Sequence, residues 1–153
     1  MLNNQEAEVT ALAGMLKFPD AYWSINDNGL SSKDFMGPLA AKVMRAIGIV
    51  AEDRKQPDLS LVTEELADNE DARNYISKLL STPVTVPQAI EASKVVKGLS
   101  TSRMLQSVGA AIITIAEEER ADSDNAVMRA ERLLRDVRNT LPVPDRSPDP
   151  ADI

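Results

Sequence analysis

Two groups of side chains in this sequence have the type and spacing to do chemistry. Glu117-Glu118-Glu119 could offer carboxylate oxygens to a hard cation such as Mg²⁺. Arg129, Arg132, Arg135 and Arg138 recur at every third position and could lay down a basic strip for nucleic acid or an acidic partner. Each group also has a plainer reading, and the plainer one is expected. A short acidic run is usually a solvated helix end. Glu131 and Asp136 dilute the field of the arginines, and no aromatic residue interleaves with them for base stacking. The four arginines remain candidate partner or nucleic-acid contacts, with any DNA contact expected to be weak or indirect.

The groups that most enzymes rely on are missing. The chain has no histidine, which removes the commonest general base and metal ligand. It has no cysteine, so neither a disulfide nor a thiolate metal site can form. A phosphate-cradling loop needs a glycine followed by lysine, and none of the six glycines precedes one. No catalytic residue, metal or cofactor is therefore expected. The formal net charge of −7 favours protein partners over a phosphate backbone. No apolar run reaches the length of a membrane span, and the polar start is not a signal peptide, so a cytoplasmic protein is expected.

What would position these residues is a set of helices. The 153 residues suffice for one domain with a real core. Aromatics are only 3%, so that core must be built from Leu, Ile, Val, Ala and Met. Val9, Leu12, Ala13 and Leu16 mark one face of a first helix, which Asn3 with Glu6 would cap and Phe18-Pro19 would end. A short helix would hold Tyr22, Trp23 and Ile25 and stop near Asn28-Gly29, with Trp23 as a core anchor. Ser31 to Asp34 reads as a further helix start. Pro38 opens a helix with the stripe Leu39, Val43, Ile47 and Val50. A charged turn spans Asp53 to Pro57. Ser60 would cap a short helix through Leu66, and Ala72, Ile76, Leu79 and Leu80 make another helical face. Met36, Met44, Met104 and Met128 read as gap-fillers in the core.

The last third has a different character. Ser81 to Pro87 breaks the chain. Gly98 and Ser100-Thr101-Ser102 suggest a kink or cap. Leu105, Val108, Ile112 and Ile115, then Val127, Ala130, Leu134, Val137 and Leu141, follow heptad-like spacing on either side of the polar link Arg120 to Asp124. The spacing predicts a helical hairpin. Two helices alone hide little apolar surface, so Met104, Leu105, Val108, Ile112, Ile115, Val127, Leu134 and Val137 form the candidate oligomer interface. The expected fold is all-α, a compact helical head over 1–86 followed by a long helical hairpin over 87–141. Residues 142–153, with four prolines, read as a linker or tail.

Several short segments, in order, carry a family resemblance. Glu6-Ala7-Glu8 leading into Val9 to Leu16, then Trp23 and Ser32-Lys33-Asp34-Phe35, resemble the start of the N-terminal domain of DnaB-type replicative DNA helicases. Gln56 to Val62 with Glu65-Leu66, Tyr75 to Ser81, and Val95-Val96 are similar to later segments of that domain. Met36 and the Asn69-Glu70-Asp71-Ala72 stretch depart from the family's pattern, which points to a phage or plasmid version. The resemblance implies a non-catalytic collar whose hairpins pair between copies, as a dimer or a trimer of dimers, and which docks primase or helicase loader during DNA replication. The ATP-hydrolysing motor would lie in a separate C-terminal domain. It also allows an alternative, a stand-alone phage- or plasmid-type protein that binds a replicative helicase to load or inhibit it; the initiator Met1 and the acidic tail ending at Ile153 permit this. An unrelated helical adaptor or an enzyme is the third and weakest reading.

Overall fold

The computed structural model describes residues 4–141, and every regular element among them is helical. The helices are α1 (Asn4–Lys17), α2 (Tyr22–Ile25), α3 (Pro38–Arg54), α4 (Leu59–Glu65), α5 (Glu70–Leu80), α6 (Val86–Glu118) and α7 (Ser123–Asn139). Single 3-10 turns lie at Pro19–Ala21 and Ser32–Asp34. The expected Asn3 cap and the 142–153 linker lie outside the described residues. The chain divides into two compact units, Met1–Met104 and Leu105–Ile153.

In the first unit α1 is the central element. Ala7, Ala11, Leu12, Ala13 and Met15 are fully buried, a wider apolar band than one amphipathic stripe. Around it pack Val43, Met44 and Ile47 of α3, Ile76 and Leu79 of α5, and Ala89, Ala92 and Val96 of α6. The first part of α6 thus completes the core of this unit. Gly14 is where α1 meets α6: a Cβ built there would lie 2.2 Å from the Cβ of Ala89.

A charged residue of α1 is buried in this unit. Glu8 is 3% exposed, and its carboxylate accepts from the backbone N–H of Met36 at 2.9 Å and of Gly37 at 3.1 Å. These amides stand just before Pro38, so Glu8 caps the N-terminus of α3 from a different helix.

Several local expectations change. Trp23 is 58% exposed. In a four-residue helix only Tyr22 and Ile25, three apart, share the inward face, so Trp23 points away. Its indole N–H donates to the carbonyl of Lys55, the left-handed residue (φ 71°) that ends α3. Of the four methionines, Met44 is buried, but Met36 and Met128 are well exposed. Met36 follows the buried Phe35 in extended backbone, where successive side chains point to opposite sides. Asp58, not Ser60, caps α4, accepting from the Ser60 N–H at 3.1 Å. α6 runs without interruption through Gly98 and Ser100-Thr101-Ser102. The hydroxyl of Ser100 is committed to Asp34 at 2.7 Å and so does not compete for the helix backbone.

Candidate interaction site on the helical hairpin

The second unit holds the end of α6 and all of α7. Asp122 accepts from the Asn125 N–H at 3.0 Å and so starts α7. Asp124 in its first turn and Arg138 in its last suit the helix dipole. The link between the helices is too short for anything but antiparallel packing. The seam between them holds Ile115 and Val137, both buried, with Ala111 and Leu133 beside them.

The charged groups singled out in the sequence meet at the top of this hairpin. Arg129 Nη1 bonds Glu119 Oε1 at 3.0 Å and lies 3.6 Å from Glu118 Oε2. Two of the three glutamates are therefore engaged by a guanidinium, and among the described residues no cluster of acids has metal-holding geometry. Arg129 is half-buried and turned to its own chain. Arg132, Arg135 and Arg138 are exposed. The structure thus splits the arginine strip into one structural member and three solvent-facing ones.

The candidate interface residues also divide. Ile115 and Val137 are spent on the seam. Met104, Val108 and Ile112 are half-buried. Leu105, Val127 and Leu134 are exposed. Leu105 and Ile112 are seven residues apart on α6, as are Val127 and Leu134 on α7, and Leu141 follows seven residues later, just past the end of α7. Running the periodicity of two antiparallel helices outward from the Ile115–Val137 seam puts both rows on the same side of the hairpin. Leu105, Val127, Leu134 and Leu141 keep between 39% and 56% of their surface in this single chain. Ile113, at 64%, lies outside both rows.

A polar cluster within the first unit went unnoticed in the sequence. Asp34 is buried. Its Oδ2 accepts from Ser31 N at 2.9 Å, and its Oδ1 from Ser100 Oγ at 2.7 Å and Lys97 Nζ at 3.5 Å. Its carbonyl accepts from Arg103 Nη2 at 3.0 Å. Lys97, Ser100 and Arg103 recur at every third position of α6, a spacing that was the available signal.

The family model for the DnaB-like helicase N terminal domain matches residues 1–98. This chain belongs to that family. The structure is similar to the crystal structure of the N-terminal domain of DnaB helicase from Mycobacterium tuberculosis. The TM-score is 0.70 at 25% identity, covering 84% of this chain and 94% of that one. No curated protein matches the chain. The structural match covers more of the chain than residues 1–98 do, so the likeness to the DnaB domain continues beyond the family match. The family resemblance and the all-α fold class are thereby shown. No helix among the described residues is long and apolar enough to cross a membrane.

Proposed function

We propose that this domain acts as the non-catalytic collar of a replicative DNA helicase, supporting ring assembly by pairing hairpins between copies and docking primase or helicase loader. The observation that carries the reading is the apolar side of the hairpin, where Leu105, Val127, Leu134 and Leu141 stand in solvent beside an already filled seam. A lone hairpin gains nothing from such rows. Two copies packed face to face would bury them as the core of a four-helix bundle. The low count of aromatics and the acidic balance fit a protein-binding role better than grip on DNA.

The test is the mass of the full chain in solution by light scattering, with and without Leu134→Glu. The wild type is expected to be a dimer or larger. The variant should fall towards monomer while its helical circular dichroism holds. A variant that kept its mass would overturn the pairing. Co-purification with primase or loader from the same source tests the docking half.

A further inference from the structure

A groove runs along the outer side of α3, on the first unit. It joins two cavities, of about 360 Å³ and about 670 Å³, which share Ile49 and Glu65. Its floor is apolar, with Ala46 and Ile49 from α3 and Leu61 and Leu66 from α4 and its end. Ile49 is 44% exposed, although α3 buries Val43, Met44 and Ile47 on its other side. The walls carry opposite charge. Lys42 and Arg45 rise from α3, and Glu64, Glu65 and Asp68 face them from α4 and the turn after it. Among the described residues none of these five forms an ion pair. The only pair on this groove is Arg54 with its neighbour Asp53, at 3.4 Å.

We infer that this groove docks an amphipathic α-helix of a protein partner, with an apolar stripe flanked by carboxylates on one side and cations on the other. Three features choose this occupant. From Lys42 to Arg54 the groove is about 18 Å long, the rise of about twelve helical residues. Its walls are helices, whose backbone groups are already paired, so an extended strand would find no ladder to join. The acidic wall repels phosphate, which disfavours nucleic acid. A helix with flanks of both signs neutralises both walls at once, while its stripe covers Ile49 and Leu66.

The inference rests on the reading of this domain as a docking platform and locates one docking surface on it. It is tested on the full chain by fluorescence anisotropy with three labelled synthetic helices sharing one leucine stripe. One has a glutamate flank and a lysine flank, one has two glutamate flanks, and one has two lysine flanks. Exchanging the flanks of the mixed helix is no control, because reversing its direction in the groove restores the match. The mixed helix should bind about tenfold or more tightly than either other. Ile49→Asp should weaken it by a similar factor. The double variant Lys42→Glu/Arg45→Glu, which makes both walls acidic, should shift preference to the two-lysine helix. Equal binding of all three peptides, or an unmoved preference in Lys42→Glu/Arg45→Glu, would overturn the groove. So would a fall in oligomeric mass on Ile49→Asp, which would mean that a second copy covers it. A chain that assembles normally yet ignores the peptides would sink this inference and leave the collar reading standing.

Discussion

Gly14 of α1 and Ala89 of α6 touch so closely that no side chain fits between the helices at that point. A Cβ on residue 14 would stand 2.2 Å from the Ala89 Cβ and 3.6 Å from its Cα. In an exposed helix Gly→Ala would stabilise by about 1 kcal/mol. Here Gly14→Ala forces α1 and α6 apart and should destabilise by about 1–3 kcal/mol. Urea unfolding followed by circular dichroism reads the difference. Ala89→Gly in the same chain should recover part of it, because it removes the clashing methyl.

Glu8 should prove structural despite its charge. Its two oxygens satisfy the N–H groups of Met36 and Gly37. Glu8→Gln leaves one acceptor for two donors and sets an NH2 against an N–H. A loss of about 1–3 kcal/mol is expected. Hydrogen exchange at Met36 and Gly37 should speed up before exchange in the middle of α3 does. Unchanged protection at these two amides would mean that Glu8 is not their cap.

Trp23 should report an aqueous surface. With the residue 58% exposed, its fluorescence should be red-shifted and readily quenched by acrylamide in the folded chain. The indole contacts Tyr22 edge-on, with centroids 4.9 Å apart, and donates to the Lys55 carbonyl, so Trp23→Phe should lose only the weak anchor on the end of α3. The expected cost is about 1 kcal/mol. Blue-shifted, protected emission would contradict the exposed placement.

These residues show what the sequence could and could not tell. Apolar spacing three and four apart located the helices, since burial of a face is what the spacing encodes. The positions of α1, α3, α5 and α7 follow from it. Pairing across the chain is not encoded that way. Nothing in Glu8 says that its partners lie at Met36 and Gly37, and nothing in Gly14 names Ala89. Gly98 and Ser100 read as interruptions because propensity is local, whereas Asp34 gives Ser100 a tertiary use. Trp23 was misread for a related reason. Size argues for burial, but in a helix of one turn only one of two adjacent aromatics can face inward, and Tyr22 takes that place. On the hairpin, heptad spacing found the apolar residues but did not separate Ile115 and Val137, which fill the seam, from Leu105, Val127 and Leu134, which flank it. That division follows only once the two helices are docked.

Stability should decline in alkali through the two tyrosines. Burial raises the Tyr75 hydroxyl above its ordinary value of 10.0, and the nearby Glu8 carboxylate adds to the rise. Burial raises Tyr22 as well, partly offset by the hydrogen bond from Asn26. In both cases the folded chain favours the neutral phenol more than the unfolded chain does. The stabilisation is therefore complete below the unfolded value near 10 and is lost as pH rises from there through the folded values. Urea midpoints measured at rising pH should fall above about pH 10. Tyr75→Phe should flatten part of that fall, since phenylalanine has no proton to lose. In Glu8→Gln the Tyr75 phenolate should appear at lower pH by ultraviolet absorbance, because the neighbouring negative charge is gone. Loss of the Glu8 cap lowers stability at every pH, so that variant's phenolate titration, not its midpoint, is the informative reading. An alkaline decline as steep in Tyr75→Phe as in the wild type would assign the effect to Tyr22 or to the lysines.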